Sequence, residues 1–277
     1  MKVLITRPRA QAADFAEQLR QAGCEPILFP VIEIRPVENS AALETALANI
    51  HKYVWVVFTS VNAVDAVFDV IARRALSPTK QSPLIAGRLL RSVSIREERY
   101  STIARSDISP RVTAVGRKTA DALRARGIEP DFVPDEFVGV NILAGLGDVR
   151  GKWILLPRAD IARQELPEAI AQAGGIAHEI IVYHTLPAEV DEEGLRALKS
   201  GVDVITFTSP STVENFVAIL RQNKLDPLNL PNNPLFACIG PVTEQAAREA
   251  GFEKIITAKE YTTEGLVSLL AANQIVK

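Results

Sequence analysis

The chain has 277 residues, 47% of them hydrophobic and 23% charged, with a formal net charge of −2. Those are the proportions of an ordinary globular protein with room for one large or two moderate domains. They exclude the basic footprint of a nucleic-acid binder, although a small anionic ligand stays open because a site's local field need not follow the total. No apolar run approaches membrane-spanning length, and the opening Val3-Leu4-Ile5 is too short for a signal peptide. Cys24 and Cys238 sit in apolar neighbourhoods as reduced core thiols, so the expectation is a cytoplasmic protein. The histidines His51, His178 and His184 are scattered, and no Cys/His cluster has metal-ligand spacing.

In chain order, 2–6 reads as a short buried strand ending at Arg7-Pro8, followed by a helix over 11–22 that stops at Gly23. A second strand over 27–34 is interrupted by Pro30, and 41–50 has helical spacing. Residues 54–58 are an apolar β-branched run that meets Thr59-Ser60 and turns into a helix over 61–73. From 83 to 110 no clean period survives. Order returns with a strand over 112–116, a glycine turn at Gly116 and a helix over 117–126, and then with Phe132-Val133-Pro134 and 141–146. The cycle restarts at 153–156, with a helix over 166–173, a strand over 180–183 and a helix over 192–199. The run 202–207 meets Thr208-Ser209, with Pro210 at the favoured first helical position, and a strand at 236–240 leads through Gly240 into a helix over 241–250.

The chain therefore repeats. FTSVNAVDAV from Phe58 and FTSPSTVENF from Phe207 share four of ten residues at an offset of 149. AVGRKTADALRARGIE and CIGPVTEQAAREAGFE share six of sixteen at an offset of 124, including Gly116/Gly240 and Thr119/Thr243. The change from 149 to 124, 25 positions, is absorbed by the irregular 83–110 segment, which reads as an insertion in the first half. The period is too long for a solenoid, so two copies of a βα-rich domain are expected. Alternating strands and helices imply parallel sheets with helices on both faces, and ligands there bind beyond the carboxyl ends of the strands. The polar signatures fall at those ends: Arg7, Thr59-Ser60, Gly116, Arg158, Thr208-Ser209 and Gly240. Free N–H groups at the following helix starts would receive an anion, and strand ends gathered about one cleft would suit a polycarboxylate or polyphosphate.

No glycine-rich dinucleotide fingerprint, Walker A sequence, nucleophile elbow or zincin helix occurs, which points to a ligand held without a bound cofactor. Each polar candidate has a plainer reading. Ser60 and Ser209 serve equally as N-caps, Thr119 and Thr243 as helix caps, Arg7 and Arg158 as surface charges. Tyr183, at the end of Ile180-Ile181-Val182, reads as an amphipathic strand residue whose hydroxyl is able to assist a leaving group.

The ordered set VLITRP, FTSVNAV, AVGRKTADAL, LLPRADIARQELPEAI, VYHT, FTSPSTVENF, IGPVTEQAA and TEGL resembles the uroporphyrinogen-III synthase family over nearly the whole chain. No single motif is specific; the series is. The resemblance implies a HemD-like α/β protein of two similar three-layer α/β/α, flavodoxin-like lobes with parallel sheets, joined by two extended connectors near 32–37 and 183–187. Lobe one would be 1–33 plus 188–277, and lobe two 36–183, where the repeat alone suggests a cut near 150. It also implies a lyase of heme and other tetrapyrrole biosynthesis. Such an enzyme cyclises linear hydroxymethylbilane to uroporphyrinogen III, with loss of water and inversion of ring D through an azafulvene and a spiro intermediate. Carried over, Tyr183 would assist hydroxide departure, while Thr119, Thr243, Ser209 and the first-half pair Thr59 and Ser60 would meet substrate. Arg7 and Arg158 join them as anion contacts at repeated strand ends. Where some relatives have adjacent threonines, this chain has Val242-Thr243, so only Thr243 carries over. No cofactor, metal, nucleic acid or membrane is implied; the expected state is a monomer that receives hydroxymethylbilane from hydroxymethylbilane synthase. The rival reading is a non-catalytic two-lobed binding or regulatory protein for a polyanionic small molecule.

Overall fold

The computed structural model describes residues 1–75, 109–134 and 139–274, so the irregular segment read at 83–110 lies outside the described residues up to 108. In chain order the elements begin β1 (Lys2–Ile5), α1 (Ala13–Gln21), β2 (Glu25–Leu28), β3 (Ile32–Pro36), α2 (Ala41–Ala48), β4 (Tyr53–Phe58) and α3 (Val61–Ala75). They continue with β5 (Arg111–Ala114), α4 (Arg117–Arg124), α5 (Gly139–Leu146), β6 (Trp153–Ala159), α6 (Glu165–Gln172) and β7 (Ile176–Pro187). The chain closes with α7 (Glu192–Ser200), β8 (Val204–Phe207), α8 (Pro210–Gln222), β9 (Leu235–Cys238), α9 (Pro241–Glu249), β10 (Ile255–Thr257) and α10 (Thr263–Gln274). Two compact units result: Met1–Ile34 with Leu186–Lys277, and Arg35–Thr185.

The first unit holds a five-stranded sheet in the order β10-β9-β8-β1-β2, with every pairing parallel. Numbered along this unit alone, the order is 2-1-3-4-5, the flavodoxin-like arrangement. Strand alternation sends neighbouring residues to opposite faces, and each face has its own helical cover. Val3 and Ile5 face Phe15 and Leu19 of α1 and Leu266 and Leu270 of α10. Leu4, Ile205 and Phe207 face Leu195 of α7, Val213 and Phe216 of α8 and Ala247 of α9. The second face is aromatic: Phe207 lies edge-on to Phe216 at 5.4 Å and stacks on Phe236 at 6.0 Å and Phe252 at 5.9 Å. Burying each such ring contributes about 1.5–3 kcal/mol, which makes this layer the anchor of the unit.

The second unit has the order β3-β7-β6-β4-β5, and β7, β6, β4 and β5 are parallel to one another. A single parallel bridge, Thr113 to Phe132, extends the sheet beyond β5. Trp55, Val57, Ile154 and Leu156 pack beneath α5 and α6 through Ile142, Leu146, Leu166 and Ile170. On the other face α3 lies over β4 and β6 and beside α4. By the repeated motifs, β4 is the counterpart of β8, β5 of β9 and β6 of β1. Under that correspondence the two sheets have one strand order, with the Phe132 bridge standing for β10 and β3 added beyond β7. The second unit is thus the same sheet begun at a different strand.

The single interrupted strand expected at 27–34 is two strands in two different sheets. Phe29 and Val31 still donate their amides to Ile5 and Thr6. Pro30 between them has no N–H to continue the ladder, and the chain turns there into β3. The glycines of the repeat also differ in cause. Gly116 precedes α4 with φ 93°, a conformation that disfavours any side chain, whereas Gly240 is extended, and a Cβ there would meet the exposed Tyr261 ring at 3.1 Å, a tight contact.

Candidate functional site

In the second unit the parallel register brings the carboxyl ends of β4, β5, β6 and β7 to one edge of the sheet, so the residues that follow them share that edge. Ser60 precedes α3, and its Oγ accepts from the Ala63 amide at 3.1 Å, as an N-cap does. The same oxygen lies 3.0 Å from the hydroxyl of Tyr183, 123 residues away. Tyr183 is buried, and the Ser60 contact holds its phenol at the start of a helix, where free N–H groups and the helix dipole favour negative charge. Thr59 beside it is exposed. Thr119 is buried in the first turn of α4, after the Gly116 turn.

Arg158 and Arg7 occupy like places in the two sheets and unlike surroundings. Arg158 is buried; its Nη1 donates to Glu179 Oε2 at 2.5 Å and its Nη2 to the Arg163 carbonyl, so its charge is already met. Arg7 is half-buried, and Nη2 donates to Gln11 Oε1 at 3.2 Å, but its buried Nε has no hydrogen-bond partner among the described residues. Burial lowers the Arg7 pKa from its ordinary value, with the Glu264 charge opposing. A buried N–H left without an acceptor is costly, and an anion would supply the missing one.

Arg7 follows β1 at the junction where the strand order of the first unit reverses, between β1 and β8. Two threonines clasp those strands: Thr6 donates to the Thr206 carbonyl at 2.6 Å and Thr206 to the Leu4 carbonyl at 3.0 Å. Beyond β8, Ser209 caps α8 in a reciprocal box with Thr212, and its hydroxyl lies 2.9 Å from that of Ser211. Thr243 is buried in the first turn of α9. Arg7, Ser209 and Thr243 therefore belong to strand-end turns of one unit, and Thr59, Ser60, Thr119, Arg158 and Tyr183 to those of the other.

A further group was not singled out from sequence. Asp160, just past β6, meets His184 Nδ1 at 2.9 Å and the Thr185 amide at 3.1 Å. Its nearness in sequence to Arg158, and that of His184 to Tyr183, was the available signal. Among the described residues no group of three or more His, Cys, Asp or Glu could hold a metal ion, and no helix is long and apolar enough to cross a membrane.

The family model for uroporphyrinogen-III synthase HemD matches residues 13–268. The chain is 30% identical to a uroporphyrinogen-III synthase of Synechococcus elongatus over 277 residues, covering 98% of this chain and 94% of that one. It is 28% identical to that of Chlorobaculum parvum over 264 residues, covering 94% and 93%. In fold it is similar to a mutant uroporphyrinogen III synthase from the extremely thermophilic bacterium Thermus thermophilus, with a TM-score of 0.61, 22% identity and 99% of each chain covered. It is also similar to the uroporphyrinogen-III synthetase of Helicobacter pylori, with a TM-score of 0.60, 15% identity and 98% and 99% covered. The strand order, the repeated strand-end turns and these matches converge: the chain belongs to the uroporphyrinogen-III synthase family.

Proposed function

We propose that the chain cyclises linear hydroxymethylbilane to uroporphyrinogen III, losing water and inverting ring D. The observation that carries the reading beyond family membership is the Tyr183 hydroxyl held 3.0 Å from the Oγ of Ser60, at the N-terminus of α3. In this reading Tyr183 gives a hydrogen bond or proton to the departing hydroxyl, and Ser60 orients the phenol. The pyrrole nitrogen's electron pair expels that hydroxyl and leaves an azafulvene. Attack at the substituted carbon of ring D gives the spiro intermediate, whose fragmentation and reclosure reverse the ring.

The acetate and propionate groups of the substrate need many anion contacts. Thr59, Thr119, Ser209 and Thr243 at helix starts, together with Arg7, whose Nε has no partner among the described residues, support that role. Arg158 would join them only by exchanging Glu179 for a substrate carboxylate. Catalysis is then mostly positioning and electrostatic. The reading takes the active species as a cytoplasmic monomer. Hydroxymethylbilane closes spontaneously without inversion, so a supply from hydroxymethylbilane synthase close by fits the chemistry. Supplying freshly generated hydroxymethylbilane and resolving the oxidised isomers tests the proposal: isomer III that depends on the protein supports it, and isomer I alone from folded protein overturns it.

A further inference from the structure

We propose that Asp160 is a positioning residue for Tyr183, tying the loop after β6 to the bulged part of β7 that carries the tyrosine. This rests on the reading of Tyr183 as the group that assists the departing hydroxyl. The β6–β7 register runs one to one from Trp153↔Ile176 to Arg158↔Ile181, and the next pair is Ala159↔Tyr183. Val182 is skipped. Side chains alternate along a strand, so one extra residue changes which face all later side chains take, and an unsupported bulge is open to slipping back. Without it, Ala159 would pair with Val182 and the Tyr183 side chain would take the other face of the sheet.

Asp160 supplies the support. Its amide donates to the Tyr183 carbonyl at 3.3 Å. Its Oδ1 accepts from the Thr185 amide at 3.1 Å and from the neighbouring Ile161 amide at 2.9 Å, and its Oδ2 meets His184 Nδ1 at 2.9 Å. One residue thus holds three successive positions of β7, 183 to 185, at the point where the ladder loses its register. A turn-forming aspartate would need only the Ile161 contact; those to His184 and Thr185 span 24 and 25 residues. Burial pushes the Asp160 carboxyl up, and the donors from His184, Thr185 and Ile161 outweigh it, leaving the group below its ordinary value and ionised at neutral pH. Tyr183 is then restrained twice, through its backbone by Asp160 and through its hydroxyl by Ser60.

A double-mutant cycle on the full chain separates this role from general support of the fold, with kcat and KM for isomer III and the melting temperature read together. We expect Asp160→Ala to lower kcat about tenfold or more through misplacement of the phenol, with KM within about twofold. Asp160→Asn, which keeps an acceptor for the Thr185 amide, recovers most of the rate. In a Tyr183→Phe background Asp160→Ala has little further effect on kcat, because residues acting through one group are not additive. Equal losses in both backgrounds, or an unchanged kcat in folded Asp160→Ala, would overturn the inference while leaving Tyr183 in place. A wild-type kcat in Tyr183→Phe would remove the Tyr183 reading and this inference together. Asp160→Ser, too short for Thr185 and His184 yet able to receive the Ile161 amide, runs the same cycle where Asp160→Ala does not fold.

Discussion

Replacing Tyr183 by phenylalanine removes one oxygen from a buried ring and leaves its packing in place. The oxygen's contact in the structure is Ser60 Oγ at 3.0 Å, which still caps α3 through the Ala63 amide after the change. No buried group is orphaned, so the loss is that of one ordinary hydrogen bond, about 1 kcal/mol. In a unit of this size that lowers the melting temperature by about 2–4 °C. The effect on rate is larger if the phenol meets oxygen as negative charge develops there. A hydrogen bond to a charged group is worth about 1.5–3 kcal/mol, or roughly 10- to 100-fold in kcat. The assay follows isomer III from freshly generated hydroxymethylbilane beside a thermal melt. A reduced kcat with a small shift in melting temperature is the expected pair. An unchanged kcat would refute the role of Tyr183, and a collapse of both would return it to the fold.

Three other predictions follow from the strand-end turns and the core. Ser209→Ala, which removes the oxygen that receives the Thr212 amide at 3.3 Å, should cost about 1 kcal/mol of stability and raise KM more than it lowers kcat. Steady-state kinetics with a urea melt check it, and an unchanged KM would leave Ser209 as a cap alone. Phe207→Ala empties the centre of an aromatic layer that meets Phe216, Phe236 and Phe252, so a loss of about 3–5 kcal/mol is expected by chemical denaturation. A loss below about 1 kcal/mol would show that the layer closes over the gap. Burial pushes the Cys238 thiol up to about 12, and Cys24 is buried as well. Neither should react with a disulfide reagent in mildly alkaline buffer until the chain is denatured, and fast native-state labelling would contradict that packing.

Much of the fold was legible because its signals are local. A β-branched run ending in Thr-Ser ahead of an amphipathic stretch marks a strand, a cap and a helix, and both copies form them, as β4 with α3 and β8 with α8. The parallel sheets follow from the alternation of those units. Which sheet a strand joins is not local. Residues 25–28 and 32–36 look alike as extended backbone on either side of Pro30, yet they lie in different sheets. The short β10 and the closing helix α10 are not predicted as elements from sequence, although TEGL opens the latter: three residues carry no period, and α10 has no strong polar face.

The site divides in the same way. Strand-end hydroxyls and arginines stand out by position, but what each one touches depends on residues far along the chain. Ser60 and Ser209 are equivalent in the repeat, and only Ser60 meets a tyrosine, 123 residues away. Arg7 and Arg158 read as equals, and Glu179 occupies one while the Nε of the other has no partner among the described residues. The bulge that sets Tyr183 leaves no mark in composition, because it is a property of two strands together.

The most direct test of the account is the isomer ratio measured against protein concentration, at a fixed supply of hydroxymethylbilane and with heat-denatured protein as control. Isomer III should rise with folded protein and displace the isomer I formed by spontaneous closure. Isomer I unchanged at every concentration of folded protein would contradict the synthase reading and leave a two-unit protein that binds polyanions without turning them over.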